Sequence, residues 1–238
     1  MVFTFWEGKM PAYIKMCMDT WHFPHMVLNF DTLKQYTKID EDFIADKLLK
    51  LTLPQIADWV RVHVLRDCGG YWLDADTIML SDKLPEETIL GYPKTKGVTI
   101  GFLHTEPHTD MFKEWAKYQD NTLAKDETPK GWDVMGNRFV DKYVKEHDVS
   151  IGDISRRWAE TYMITEDIKR PLAYHRFYFE RNYHLSDLLE TDMLMLHNSW
   201  TPSCYKVLNE KRILNKDCTM SNILREVLYY EVHYNVWW

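Results

Sequence analysis

The chain has 238 residues, with 29 Lys and Arg against 36 Asp and Glu, a formal net charge of −7 at pH 7. Its 45% hydrophobic and 27% charged residues make an ordinary globular composition, long enough to bury a real core. Acidity without a Lys/Arg block excludes a nucleic acid polymer as partner, the lack of an apolar run of about 18 residues excludes a transmembrane segment, and four scattered cysteines without a C-x-x-C pair exclude a zinc ribbon and a disulfide framework. Glu7 and Lys9 interrupt any signal-peptide core, so a soluble, cytoplasmic location is expected. In chain order, Val2 to Trp6 is an apolar, β-prone run and the first predicted strand. Pro11 opens a helix to about Trp21, and Met26 to Phe30 is a second strand. Charged residues 38–50 form a surface helix or an insertion.

From Leu53 to Cys68 the helical pattern is strong. Leu53, Ile56, Val60 and Val64 recur at helical spacing toward the core, Pro54 falls in the first turn, and Gly69-Gly70 stops the helix. Tyr71-Trp72-Leu73 follows as a short buried strand ending in Asp74-Ala75-Asp76. A strand from Val98 to Leu103, helices from His108 to Tyr118 and from Gly136 to Glu146, a late strand from Met193 to Leu196, and a mostly helical 205–238 complete the pattern. Strands alternating with helices predict an α/β fold with a mixed, mainly parallel sheet flanked by helices and a helical C-terminal part, its ligands beyond the carboxyl ends of strands.

One stretch concentrates charge where apolar residues are expected. A helix rises about 16 Å from Asp58 to Gly69, and a strand returns about 13 Å from Gly70 to Asp74. The hairpin therefore brings Asp74 and Asp76 back level with Asp58 and Arg61, which share a helix face because they are three apart. Four converging charges at the end of an apolar strand are costly unless a ligand or metal uses them. Paired carboxylates offer hard oxygen donors suited to Mg²⁺ or Mn²⁺, which bridge phosphate oxygens.

This block resembles the DXD-containing glycosyltransferases of the GT-A fold. It is most similar to the capsular-polysaccharide and family 32 type, whose pattern reads roughly [AS]-D-x-x-R, then G-G-x-Y-x-D-x-D. Ala57-Asp58, Arg61, Gly69-Gly70 and Asp74-Ala75-Asp76 carry the match over about residues 54–80, with Tyr71-Trp72-Leu73 where Ile-Tyr-Leu is usual. Phe5-Trp6-Glu7-Gly8 with Pro11, and His197-Asn198-Ser199-Trp200, match the two ends more loosely. The resemblance implies a metal-dependent enzyme moving a sugar from a UDP- or GDP-sugar donor to a glycan or other hydroxyl acceptor, with retention of configuration and Mn²⁺ or Mg²⁺ as cofactor. It implies one domain over 1–238, with the nucleotide-sugar-binding core in about 1–120 and an acceptor-side, closing segment in about 121–238.

Carried over residue by residue, Phe5 and Trp6 border the donor, with Trp6 stacking on its base. Asp58 and Arg61 bind the sugar hydroxyls, Arg61 also facing phosphate. Asp74, Ala75 and Asp76 line the donor, Asp74 and Asp76 hold the metal with His197 completing its shell, and Trp200 covers the diphosphate. Asp76, Arg61 and, on the acceptor side, Asp133 of Gly131-Trp132-Asp133 are the catalytic candidates. Blander readings stand beside these. Trp6 and His197 suit a core, and Asp58 with Arg61 suits a helix-surface ion pair. His22/His25 and His104/His108 read as structural, because Pro24 and Pro107 interrupt their spacing. The stripe of Tyr229, Tyr230, Tyr234, Trp237 and Trp238 reads as packing, with a membrane-surface role if the acceptor is lipid-linked. Two other functions compete. A haloacid-dehalogenase-like, Mg-dependent phosphatase also places D-x-D after an apolar strand, with Ser186-Asp187 and Asp192 as its late acidic motif, although about 70 residues precede the motif here. A non-catalytic nucleotide- or carbohydrate-binding module has less need of paired carboxylates.

Overall fold

The structure is a computed structural model that describes residues 1–91, 97–125, 128–154, 170–187 and 192–234. Its strands are β1 (Val2–Phe5), β2 (His25–Leu28), β3 (Gly70–Leu73), β4 (Thr77–Met79), β5 (Ile89–Gly91), β6 (Val98–Thr105), β7 (Ile151–Asp153) and β8 (Met193–Met195). The helices are α1 (Ala12–Asp19), α2 (Phe30–Leu33), α3 (Glu41–Asp46), α4 (Leu53–Cys68), α5 (Asp110–Leu123), α6 (Asn137–Glu146), α7 (Arg170–His175), α8 (Ser203–Lys206), α9 (Glu210–Leu214) and α10 (Thr219–Tyr234). The chain divides into two compact units that alternate along the sequence. The first contains Met1–Gly8, Pro24–Asp74 and Leu84–Asp153; the second contains Lys9–Phe23, Ala75–Lys83 and Ile154–Trp238.

The first unit holds a six-stranded sheet in the order β2-β1-β3-β6-β5-β7. β1 pairs in parallel with β2 and β3, and β5 with β7, whereas β6 runs antiparallel to both its neighbours. This is the mixed, mainly parallel arrangement that the strand–helix alternation predicts. All four residues of β1 are buried, as in a central strand covered on both faces. Phe3, Phe5, Leu28, Trp72 and Leu103 of the sheet share one core with Trp59, Val60 and Val64 of α4 and with Phe112 and Trp115 of α5. An indole the size of Trp59 or Trp115 contributes roughly 4–6 kcal/mol of burial as an upper bound.

α4 begins where Gln55 Oε1 accepts hydrogen bonds from the Thr52 backbone N–H at 3.0 Å and the Thr52 hydroxyl at 2.9 Å, a capping arrangement reinforced by Pro54. It ends at Gly69, whose N–H donates to the Leu65 carbonyl. Gly69 has φ 63°, and a Cβ there would lie 2.6 Å from the Pro107 ring; Gly70 has φ 91°, and a Cβ would meet the Met1 carbonyl at 2.6 Å. Both turn positions therefore require glycine. The reading of α4 as amphipathic needs one correction. Leu53 is 54% exposed, while Asp58 and Arg61 are buried with Ile56, Val60 and Val64. α4 packs against β1, β3, β6 and α5, which covers it on nearly every side.

In the second unit the late strand β8 pairs antiparallel with β4, forming a two-stranded sheet of its own. α1 packs against β4, α9 and α10, and buries Tyr13, Ile14, Met16, Cys17 and Met18. The Trp21 indole N–H donates to the Thr77 carbonyl at 2.8 Å. The C-terminal region is helical through α10, with 235–238, Trp237 and Trp238 among them, outside the described residues. Of the aromatic stripe, Tyr229 is exposed and its hydroxyl donates to Glu210 at 2.7 Å; the side chains of Tyr230 and Tyr234 lie outside the described residues. Among the described residues, no helix is long and apolar enough to cross a membrane.

Candidate functional site

In the first unit the Gly-Gly hairpin does what its lengths require, because Asp74 at the end of β3 returns to the level of Asp58 and Arg61. Arg61 Nη2 lies 3.1 Å from Asp58 Oδ1 and 3.2 Å from Asp74 Oδ1. Its Nε donates to the Ala57 carbonyl at 3.3 Å and its Nη1 to the Ile100 carbonyl. The guanidinium carbon sits 5.0 Å from the centre of the Trp72 ring, and Trp72 Nε1 donates to Asp74 Oδ1 at 2.9 Å. Arg61 is only 4% exposed, so the surface ion pair considered from the sequence is in fact a buried one. Every nitrogen of its guanidinium reaches a protein oxygen, and its role here is to hold two carboxylates in register.

Asp58 is the group under tension. Burial raises its carboxyl from the ordinary aspartate value to about 7; Arg61 opposes the rise and Asp74 adds to it. Asp58 Oδ1 carries the Arg61 contact, while Oδ2 has no protein hydrogen bond among the described residues. Two contacts that sequence spacing gave no sign of complete its surroundings. Gln119 Nε2 of α5 donates to the Asp58 main-chain carbonyl at 2.8 Å and to the Met135 carbonyl at 2.6 Å. Gly136, the residue before α6, stands directly against the Asp58 carboxylate.

The other candidates of this unit lie at two places. Phe5 is a core side chain, edge-on to Phe30 at 5.8 Å, whereas Trp6 is half-buried just past β1, its backbone N–H donating to the Leu28 carbonyl. Among the described residues the buried Trp6 indole nitrogen has no hydrogen-bond partner. Asp133 pairs with Arg138 at 2.9 Å in the turn that leads to Gly136, whose N–H donates to the Asp133 carbonyl.

The second unit begins at Ala75, which is buried, and Asp76. Asp76 Oδ2 accepts the Asn198 backbone N–H at 2.6 Å, and its main-chain carbonyl accepts the Leu196 N–H at 3.1 Å. The segment that begins at Leu196 is thereby tied to Asp76. The His197 and Trp200 rings are 3.7 Å apart, and Tyr174 meets both edge-on at 5.9 and 5.8 Å. Tyr13 donates to Asn198 Oδ1. Burial, reinforced by the negative charge of Asp76, pushes the Tyr13 hydroxyl and the Cys17 thiol well up, so both stay neutral. Lys206 feels the same carboxylate: burial lowers its pKa and Asp76 opposes the change. Nothing in the sequence around Lys206 marks it.

The donor chemistry for a metal can be tested against these residues. Asp74 and Asp76 supply hard oxygens and are separated by one residue, while His197 supplies a nitrogen. No group of three or more His, Cys, Asp or Glu side chains close enough to hold an ion occurs among the described residues. Carboxylate oxygens are hard donors of the kind that Mg²⁺ and Mn²⁺ take. His22 and His25 are exposed, and His104 stacks on Tyr71 at 4.1 Å, which fits the structural reading of these histidines.

Where β3 ends, the mixed α/β sheet thus carries an Asp58–Arg61–Asp74 cluster in which Asp58 and Arg61 are buried and Asp74 is partly exposed. Residues 1–152 match the family described as capsular polysaccharide synthesis protein, and the chain belongs to that family. No curated protein matches it. Two solved structures are similar in fold. One is the PaToxG glycosyltransferase, at 11% identity over 96% of this chain and 85% of the other, with a TM-score of 0.43. The other is the apo-form glycosyltransferase GlyE of Streptococcus pneumoniae TIGR4, at 14% identity over 99% of this chain and 62% of the other, with a TM-score of 0.47.

Proposed function

We propose that the protein is a glycosyltransferase that moves a sugar from a nucleoside-diphosphate sugar, UDP- or GDP-linked, to a hydroxyl of a growing glycan. The observation that carries this reading is the Asp58–Arg61–Asp74 cluster. A carboxylate that is buried and held at one oxygen, with the other oxygen unbonded by protein, is a receptor for a ligand hydroxyl. A sugar brings such hydroxyls, and a hydrogen bond to a charged acceptor in a dry site is worth about 1.5–3 kcal/mol. Arg61 is the positioning residue of the cluster, since its nitrogens are spent on Asp58, Asp74 and two carbonyls.

The remaining roles follow from residue chemistry. Trp6 offers an aromatic face and an unpaired indole N–H to a nucleobase. Lys206 places positive charge near Asp76, where it can face a diphosphate, and the tilted His197–Trp200 ring pair can cover that group. Asp74 and Asp76 are the residues that would hold Mg²⁺ or Mn²⁺, with His197 as a further ligand. A bound divalent ion would neutralise the leaving diphosphate as a Lewis acid. Asp133 is the proposed acceptor-side carboxylate, and retention of configuration is the proposed outcome.

Calorimetric titration with UDP-glucose, UDP-galactose and GDP-mannose, with and without Mn²⁺, tests the reading. Tight binding of one donor only with the ion, followed by slow donor hydrolysis, is the expected result. Equal metal-free binding of all three, or binding of none, overturns it. Rapid hydrolysis of p-nitrophenyl phosphate with Mg²⁺ would favour the phosphatase instead.

A further inference from the structure

Asp58 is buried, and its position is fixed by groups from α4 itself, from α5 and from the turn before α6. Three contacts set it. Arg61 holds Oδ1 at 3.1 Å, Gln119 grips the Asp58 carbonyl at 2.8 Å, and Gly136 faces Oδ2. A methyl group on Gly136 would stand 2.7 Å from Asp58 Oδ2, 3.1 Å from its carboxyl carbon and 2.4 Å from Ile100 Cδ1. Real Cβ atoms do not approach other heavy atoms so closely, so something must move. Gly136 has φ −125° and ψ −104°, outside the helical and extended regions, so backbone conformation and space both favour glycine here.

The space is well defended. The Met135 carbonyl, next in chain to Gly136, accepts from Gln119 Nε2 at 2.6 Å and from Trp115 Nε1 at 3.0 Å. Asn137 Nδ2, on the other side, donates to the Val98 carbonyl at 3.0 Å. Gly136 is thus pinned to α5 by the residue before it and to β6 by the residue after it. It cannot withdraw from an added methyl group, so the Asp58 carboxylate would have to yield.

We infer that Gly136 is a positioning residue for the donor sugar: by lacking a side chain it lets Asp58 present its unbonded oxygen to a sugar hydroxyl. The inference rests on the glycosyltransferase reading and names the part of the donor that the Asp58 corner reads. Gly136 itself touches no substrate; it acts through Asp58.

The test compares Ile100→Val with the double variant Ile100→Val/Gly136→Ala, since removing Ile100 Cδ1 relieves the overpacking and leaves the contact with Asp58. Affinity for the three nucleotide sugars, and for UDP and GDP alone, is measured by calorimetry in the presence of Mn²⁺, with thermal unfolding as a check that both variants fold. The expected result is a loss of about tenfold or more in affinity for the donor sugar nucleotide, the size of one lost hydrogen bond to a charged group, with the bare diphosphate bound unchanged. In an Asp58→Ala background the Gly136→Ala effect should vanish, as for two residues acting through one contact. Equal donor affinity in the two Ile100→Val proteins overturns the inference while leaving the glycosyltransferase reading intact. Equal losses for donor and bare diphosphate also overturn it, as a general structural effect. Wild-type protein that binds no nucleotide sugar overturns the reading and the inference together.

Discussion

Arg61 and Asp58 show how far a single residue can be from what its spacing suggests. Three apart on a helix, they read as an ion pair worth a few tenths of a kcal/mol if solvated. Buried, the same pair changes scale. Replacing Arg61 with Met is expected to cost about 3–5 kcal/mol in urea unfolding, because it strands Asp58 without its cation. Arg61→Lys should recover little of this, since an ammonium cannot reach two carboxylates and two carbonyls at once. Asp58 also makes stability depend on pH. Its folded value of about 7 lies above its ordinary value, so between about pH 4 and 7 the folded chain retains a proton that the unfolded chain has released. Stability from this group is therefore full at low pH, falls through that window and levels off above it. Urea midpoints of Asp58→Asn should gain on the wild type from pH 5 to 7 and run parallel above about pH 8. The identities Asp58, Arg61 and Asp74 were legible because they share one helix–turn–strand hairpin. Gln119 and Gly136 were not, because their contacts with Asp58 join segments distant in sequence, and a single glycine carries no local signature of such a contact.

At the level of elements, the hairpin is where sequence and structure agree best. The bounds of α4 follow from a capping pair, a first-turn proline and a terminal glycine, all local signals. What local pattern could not reveal was that α5 covers the polar side of α4, so that Leu53 is exposed while two charges are enclosed. The turn itself is vulnerable. Gly69→Ala combines a left-handed backbone with a 2.6 Å approach to Pro107 and is expected to cost more than the roughly 1–2 kcal/mol of the backbone alone. Circular dichroism melting would register this as a drop in Tm, and donor affinity should fall with it because the turn sets the height of Asp74. The strand at 193–195 was legible as a strand; its partner β4 was not, since pairing is chosen by segments more than a hundred residues apart.

For the whole molecule, the alternation of the two units has direct consequences. The family match ends at residue 152, one short of the last residue of the first unit, yet that stretch also contains Lys9–Phe23 and Ala75–Lys83, which belong to the second. A fragment of residues 1–153 is therefore expected to expose the apolar side of α1 and the unpaired edge of β4. Strong binding of 8-anilinonaphthalene-1-sulfonate and aggregation on concentration would show it; a monomeric fragment with a sharp melting transition would contradict it. A similar exposure occurs in time. Tyr13 of α1 hydrogen-bonds Asn198, 185 residues later. At the roughly 5–20 residues per second of synthesis, α1 waits on the order of 10–40 s for that partner. Through most of that interval Ile14, Met16, Cys17 and Met18 have β4 to pack on but not the α9 and α10 that complete the second-unit core. The first helix made is among the last to be fully packed, so the yield of folded protein in a cell hangs on what shields it during translation.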